Sequence, residues 1–221
     1  MNTTPEVVRR PPQRRAERLM VLLPGAYMTP AQFIDAGFAD VPAIRDGRLD
    51  LALPALDLTA ITAGTALAMV QAEAVEPARR AGYREVWLGG ISLGGFLALA
   101  YAADGLGTID GLCLLAPYPG SRITQAAIAA AGGPATWQPA AAQRADPEFR
   151  VWHWLRRCPA DLPVFCGYGI DDRFADGMAA LAAALPATEA VVVPGGHDWT
   201  AWRPLWDHFL ATGPMSPMAA A

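Results

Sequence analysis

The stretch Gly89-Gly90-Ile91-Ser92-Leu93-Gly94-Gly95 decides how the rest of the chain is interpreted. The short apolar run before it, Val86-Trp87-Leu88, is typical of a buried strand, and the Ala/Leu-rich residues 96–103 after it predict a helix. Ser92 is therefore predicted to lie on a sharp turn between a strand and a helix. A Gly-x-Ser-x-Gly pattern in that setting indicates an exposed nucleophilic serine, and the helix N-terminus offers N–H groups to developing negative charge. The alternative is a glycine-rich turn without chemistry, since short patterns also arise by chance.

The composition indicates a single globular domain. Of 221 residues, 53% are hydrophobic and 17% are charged, which is enough apolar material for one sizeable core. The net charge of −4 is mild and gives no reason to expect a nucleic-acid partner. The sequence shows neither a signal-peptide pattern nor a run of transmembrane length, so we expect a cytoplasmic protein without a membrane partner. The oligomeric state is left open.

The cysteines predict neither a disulfide framework nor a metal site. Cys113, Cys158 and Cys166 form no Cys-x-x-Cys pair, and two of them lie in apolar strand-like runs that favour buried free thiols. This usage fits a reducing compartment. Because the sequence has no phosphate loop, dinucleotide pattern or metal-ligand cluster, we expect no metal and no cofactor.

Strand-like and helix-like segments alternate, which predicts an α/β fold with about six mostly parallel strands and helices on both faces. The predicted strands are 19–23, 49–54, 86–88, 111–117, 163–168 and 191–193; the main predicted helices are 30–45, 62–80, 96–103, 174–185 and 201–210. Residues 1–18 are rich in Arg and Pro and are expected to form a flexible arm. The domain then spans 19–212, and a disordered tail is expected over 213–221.

One connection, residues 118–161, is far longer than the roughly two to six residues usual between a strand and a helix. It contains helix-like stretches at 125–131 and 151–155 and several aromatic residues. We interpret it as a small helical lid, with Tyr118, Trp137 and Trp152 lining an apolar substrate pocket.

A nucleophilic serine needs a neighbouring base, and the base needs an orienting carboxylate. His153 lies in the insertion and His208 in the last predicted helix, whereas His197 lies in a glycine-rich loop directly after the last predicted strand. Loops at the carboxyl ends of parallel strands present side chains to a common site. His197 is therefore the candidate base.

The candidate acid lies in the turn Gly169-Ile170-Asp171-Asp172, which follows the preceding strand. Either aspartate would suit, and the other would cap the next helix. The resulting chain order of serine, aspartate and histidine is the order known for the Ser–Asp–His arrangement of α/β-hydrolases.

The serine turn, the aspartate turn and the loop Gly195-Gly196-His197 together resemble the α/β-hydrolase superfamily over about residues 19–210. The resemblance implies Ser92 as nucleophile, His197 as base and Asp172, rather than Asp171, as acid. It also implies a reduced core, because residues 1–18 are too short and too rich in Pro and Arg for the antiparallel hairpin with which the full fold begins. The stretch Gly195–Trp199 is also similar to small esterases of the enterochelin-esterase, feruloyl-esterase and formylglutathione-hydrolase kind, which fixes no substrate.

The same resemblance implies an oxyanion hole made of backbone N–H groups. One donor would be Leu93, after the serine. The other would lie in the turn Pro24-Gly25-Ala26-Tyr27, where many family members have His-Gly, and would be Ala26 or Tyr27.

The sequence thus predicts a serine hydrolase of the carboxylesterase type, acting on a small-molecule ester or thioester through an acyl-enzyme on Ser92. Two alternatives stay open. One is a thioesterase or acyltransferase that acts on pantetheine-linked acyl groups, and the other is a non-catalytic binding protein on a hydrolase scaffold.

Overall fold

The computed structural model describes residues 6–8, 15–56, 58–185, 188 and 190–212. Within these residues the centre of the molecule is one sheet, in the order β1-β3-β2-β4-β5-β6-β7. Strands β2 to β7 are parallel, and β1 pairs antiparallel with β3. The predicted α/β fold with about six parallel strands is confirmed. The strands are β1 Glu6–Val8, β2 Arg18–Leu23, β3 Leu49–Leu53, β4 Glu85–Ile91, β5 Gly111–Leu115, β6 Val164–Gly169 and β7 Val191–Val193.

The edge strand β1 was not predicted. Residues Glu6–Val8 pair with Leu51–Leu53 of β3, so three residues of the expected flexible arm belong to the sheet. The pairing partner lies far along the chain, and strand formation at an edge depends on such non-local pairing more than on local composition. Residues 1–5 and 9–14 of the predicted arm and the predicted tail over 213–221 lie outside the described residues.

Helices cover both faces of the sheet. The helices predicted over 30–45 and 62–80 are each interrupted, because Gly37 and Gly64 take left-handed φ angles of 79° and 71° that end a helix. A π-helical turn, Gln71–Val75, joins α4 to α5, and a 3-10 turn, Ala141–Gln143, precedes α8. The helices are α1 Pro30–Asp35, α2 Pro42–Arg45, α3 Leu58–Thr62, α4 Ala66–Val70, α5 Glu76–Ala81, α6 Leu93–Ala103, α7 Arg122–Ala130, α8 Pro147–Leu155, α9 Ala175–Ala184 and α10 Trp199–Thr212.

Alternate strand side chains enter two cores, one on each face of the sheet. On β2, Val21 and Leu23 pack into the core that contains α4, α6 and α8. Met20 and Leu22 pack into the opposite core, with α1, α2 and α10. A central parallel strand is buried on both faces, which is why its sequence is an uninterrupted apolar run. The two cores hold the carboxyl ends of the central strands in fixed positions.

The insertion between β5 and β6 is tied into the first of these cores. Helix α8 packs beside α6 and α9, with Phe149, Val151 and Leu155 buried at the contact. At the end of α6, Asp104 accepts two hydrogen bonds of 3.0 Å from the guanidinium group of Arg150 on α8. The second half of the insertion is therefore a packed layer of the domain.

Candidate active site

Ser92 lies between β4 and α6, on the predicted strand-to-helix turn. Its φ of 53° and ψ of −114° form a backbone conformation that L residues rarely adopt. A Cβ on Gly90 would lie 2.3 Å from the carbonyl carbon of Gly94, and a Cβ on Gly94 would lie 2.2 Å from the carbonyl oxygen of Leu23. The two glycines of the pattern are therefore required by the close approach of backbone to backbone around the serine.

The side chains of Ser92, His197 and Asp172 form one chain of hydrogen bonds. The distance from Ser92 Oγ to His197 Nε2 is 2.8 Å, and that from His197 Nδ1 to Asp172 Oδ2 is 2.5 Å. The Asp172 side chain is fully buried, whereas the His197 side chain is 14% exposed. With Nδ1–H donating to the carboxylate, Nε2 is free to accept the hydroxyl proton. The structure thus brings the predicted nucleophile, base and acid into contact.

Asp172, and not Asp171, is the aspartate that contacts His197. Asp171 is exposed, and its backbone N–H donates to Gly195 O at 3.0 Å. A Cβ on Gly169 would lie only 2.2 Å from that same carbonyl oxygen, so the turn after β6 and the loop after β7 touch through their backbones. This contact fixes the acid and the base relative to each other.

The predicted backbone donors border Ser92. Strand β2 pairs with β4, with Leu23 opposite Gly90, so the turn that contains Ala26 and Tyr27 lies beside the serine turn. Among the described residues, no hydrogen bond uses the backbone N–H of Ala26, Tyr27 or Leu93. The Tyr27 side chain is 86% exposed, so a role for this residue rests on its backbone. Free N–H groups on two neighbouring loops are the arrangement that stabilises an oxyanion.

Backbone strain concentrates at the same end of the sheet. In the described part of the chain, the non-glycine residues with positive φ are Tyr27 after β2, Ser92 after β4 and Ala116 after β5, at 62°, 53° and 47°. Such strain costs about 1–3 kcal/mol per residue and persists where the surrounding structure enforces it, often at functional sites. Nothing in the sequence predicted the positive φ of Ala116.

Solved structures share this architecture. MGS-MChE2, an α/β hydrolase enzyme from the metagenome of lagoon sediments, superposes with a TM-score of 0.59 at 15% identity, over 93% of this chain and 91% of its own. FphF, a fluorophosphonate-binding serine hydrolase of Staphylococcus aureus, gives 0.58 at 13% identity, over 88% and 82%. A thermostable carboxyl esterase of Bacillus coagulans gives 0.55 at 13% identity, over 86% and 84%. The chain is an α/β-hydrolase by fold. No family model and no curated protein matches its sequence.

Tyr118 lies at the site of this α/β-hydrolase fold. Its backbone N–H donates to Ser92 O at 2.9 Å, and its ring packs edge-on against Phe174, with centroids 5.8 Å apart. Phe174 in turn lies edge-on to His197 at 5.2 Å and donates its N–H to Asp172 Oδ1 at 2.9 Å. Phe174 was not predicted, although it lies only two residues after the acid in the sequence. Tyr118 and Phe174 form an apolar wall beside the base.

The two predicted pocket tryptophans lie mainly inside the insertion. Trp137 is buried, stacks on Phe149 at 5.6 Å and accepts a hydrogen bond from Arg156 at its carbonyl. Trp152 is buried, donates its indole N–H to Pro119 O at 2.9 Å and borders an apolar groove of about 250 Å³ between α7 and α9. No hydrogen bond or ring contact among the described residues joins either indole to the Ser92 hydrogen-bond chain. Large aromatic side chains in a long connection were the basis for predicting a pocket, and in the structure these side chains fill the interior of the insertion.

The residues that follow His197 hold its loop. Asp198 Oδ1 accepts from the N–H and the hydroxyl of Thr200, at 2.8 and 2.5 Å, at the start of α10. These hydrogen bonds lower the pKa of Asp198. The Trp202 ring lies edge-on to His197 at 5.3 Å, whereas the His208 ring lies over Phe165 and is not part of the site. Asp198 therefore stabilises the loop, and the aspartate that hydrogen-bonds to the imidazole is Asp172.

The structure also bears on metals and thiols. Within the described ranges, no group of three or more His, Cys, Asp and Glu side chains could hold a metal ion. The three cysteines are free and buried, as predicted for Cys113 and Cys166, and burial raises the pKa of Cys166 to about 12. No helix in the described part of the chain is long and apolar enough to cross a membrane.

Proposed function

We propose that the chain is a serine hydrolase of the carboxylesterase type, which cleaves a carboxylic ester through an acyl-enzyme on Ser92. The observation that carries this proposal is the hydrogen-bond chain from Ser92 through His197 to Asp172, at 2.8 and 2.5 Å. Solved structures with the same fold include a fluorophosphonate-binding serine hydrolase and a carboxyl esterase, and this supports the class of reaction.

Acylation begins when Ser92 Oγ attacks the ester carbonyl carbon while His197 Nε2 accepts the hydroxyl proton. The carbonyl oxygen becomes an oxyanion, for which the N–H groups of Leu93 and Ala26 are the proposed donors. Asp172 holds the imidazole in orientation and stabilises its positive charge. His197 then passes the proton to the leaving alkoxide oxygen, so that the carbon–oxygen bond breaks, an alcohol departs and the acyl group stays on Ser92.

Deacylation repeats these steps with water as the nucleophile. His197 accepts a proton from water, the hydroxide oxygen attacks the acyl carbon, and the same backbone N–H groups stabilise the second oxyanion. The proton returns from His197 to Ser92 Oγ as the acyl bond breaks. The products are a carboxylic acid and the regenerated serine hydroxyl.

A fluorophosphonate probe and p-nitrophenyl esters of graded chain length test the proposal. We expect wild type to be labelled and to turn over the esters, and Ser92→Ala to lose labelling and about four to six orders of magnitude in kcat. Ser121→Ala is the matched control, because Ser121 caps α7 and lies outside the hydrogen-bond chain; it should be labelled like wild type. Equal labelling of Ser92→Ala and wild type would refute the proposal.

The leaving group is tested with the same acyl chain on two carriers. A p-nitrophenyl ester and an acyl-CoA thioester of equal chain length are compared by kcat/KM. A clear preference for the ester supports the carboxylesterase assignment. A preference for the thioester would favour the thioesterase alternative, which uses the same catalytic chemistry.

A further inference from the structure

A basic groove of about 490 Å³ lies on the insertion, between residues 138–144 and helix α8. We call it the arginine groove. It lies beside Arg150, which pairs with Asp104 just beyond the end of α6, whereas Ser92 precedes the start of that helix. The two sites are thus separated by the eleven residues of α6, or about 16 Å of helix. The side chains that line the groove and matter here are Gln138, Arg144, Phe149, Arg150, His153 and Arg157.

The arginines of the groove differ in how their charges are balanced. Arg150 is paired: its Nε and Nη2 each donate to Asp104 at 3.0 Å, and its Nη1 donates to Ala145 O at 2.7 Å. Arg144 and Arg157 have no side-chain hydrogen bond or ion pair with any residue that the structure describes. No carboxylate is among the lining residues. The groove therefore holds two uncompensated positive charges in a chain whose net charge is −4.

His153 lines the arginine groove with part of its ring, while its Nδ1 is buried. Its Nδ1 has no hydrogen-bond partner in the described part of the chain. Burial, and then the guanidinium groups of Arg157, Arg156 and Arg144, lower the pKa of His153. The nearby positive charges oppose protonation of the ring, so an anion bound between them would favour the protonated form. The pKa of His153 therefore reports on whether an anion occupies the groove.

We propose that the arginine groove binds a phosphate group, held by Arg144 and Arg157 beside the ring of His153. Two guanidinium groups can donate several charge-assisted hydrogen bonds to the oxygens of one phosphate. Phe149 supplies an apolar wall for the organic part of a phosphate ester, and the volume lies in the range of small-molecule sites. This proposal does not depend on the chemistry at Ser92.

The test is a titration of the full chain with inorganic phosphate, monitored through the imidazole NMR signals of its three histidines. We expect phosphate to raise the pKa of His153, because a bound anion favours the protonated ring, and to leave His208 unchanged. The double variant Arg144→Ala/Arg157→Ala should weaken binding by about tenfold or more. Arg122→Ala is the matched control, an exposed arginine on α7 outside the groove, and it should bind as wild type does. An unchanged His153 pKa, or equal weakening in the control, would overturn the proposal.

A second measurement asks whether the phosphate is free or carried by the substrate, and unlike the titration it rests on the proposed hydrolase activity. If the substrate carries it, the double variant raises KM for an acyl-CoA and leaves KM for the matching p-nitrophenyl ester unchanged. If the ligand is a separate molecule, both KM values stay the same while phosphate binding is lost. A rise in both values would indicate general damage and count against the proposal. Ser92→Ala should keep its phosphate affinity, so the two proposals can fail independently.

Discussion

The serine turn and the insertion between β5 and β6 are held in place by different kinds of contact. Around Ser92, backbone packs on backbone, and a Cβ at Gly94 would lie 2.2 Å from a carbonyl oxygen. In the insertion, a Cβ on Gly133 would meet no atom within 4 Å, and the fold is maintained by side chains such as Phe149 and Glu148. Contacts of the first kind allow only glycine, and so they are visible in a sequence. Contacts of the second kind can be made by many residue combinations.

The acid of the proposed site gives the largest expected effect. Asp172→Asn should lower kcat by about four orders of magnitude, because an amide cannot hold His197 in the productive tautomer or stabilise its charge. Asp171→Asn is the matched control and should stay within a fewfold of wild type, since that side chain is exposed and does not contact the histidine. The measurement is steady-state ester hydrolysis. Similar losses in both variants would assign the effect to the turn as a whole.

The glycines of the two regions give the next largest effect. Gly94→Ala should lower the free energy of unfolding by about 3 kcal/mol or more, because the new methyl group overlaps backbone that cannot retreat. Gly133→Ala meets open space and should cost only about 1 kcal/mol, for the strain of its φ of 98°. Urea denaturation of both variants measures the difference. Equal losses would mean that the contrast between the two regions is false.

Glu148 tests whether side chains hold the insertion against the site. Its Oε2 accepts from the Ser121 N–H at 2.8 Å and from the Thr124 hydroxyl at 2.6 Å, and its Oε1 lies 3.4 Å from the Tyr118 hydroxyl. Burial and the neighbouring Glu148 raise the pKa of Tyr118, so that the hydroxyl keeps the proton that it donates. Glu148→Ala should lower stability by about 1–3 kcal/mol, because a partly buried N–H and hydroxyl lose their acceptor.

Two readouts sharpen the Glu148 result. Limited proteolysis should show earlier cleavage within residues 118–161 of Glu148→Ala, and Glu148→Gln should recover part of the stability because its amide oxygen still accepts. A large fall in kcat without a change in stability would instead show that Glu148 takes part in the chemistry.

The pair between Arg150 and Asp104 should have the smallest effect. Its side chains are 36% and 25% exposed, so Arg150→Ala should cost only about 0.2–1 kcal/mol. The loss should shrink in high salt, where ions screen the pair. Urea denaturation at low and high salt measures it. A loss that does not depend on salt would assign the effect to packing of the arginine stem.

What the sequence could predict follows from this contrast. The turn of Ser92, the loop of His197 and the six parallel strands were all predicted, because glycine patterns and apolar runs are local. Strand β1 was missed, since Glu6–Val8 forms a strand only through its pairing with β3. The choice of Asp172 needed the family resemblance, because two adjacent aspartates are equivalent in local sequence.

The pocket is the part for which sequence patterns were least informative. The aromatic character of Trp137 and Trp152 and their place in a long connection predict pocket walls, yet aromatic residues are equally suited to the buried interior of the insertion, where both lie. Phe174 beside His197 was overlooked, because a single aromatic at a helix start has no distinguishing pattern.

The short strand β1 has a consequence for contacts between copies of the chain. A strand at the edge of a sheet offers unpaired N–H and C=O groups to any other strand that can reach it, and this is a route to aggregation. Strand β3 is fully buried and apolar at four of its five positions, and Glu6–Val8 pairs along the side that β2 leaves free. The three residues of β1 thus cover the backbone edge that β3 would otherwise offer to another strand.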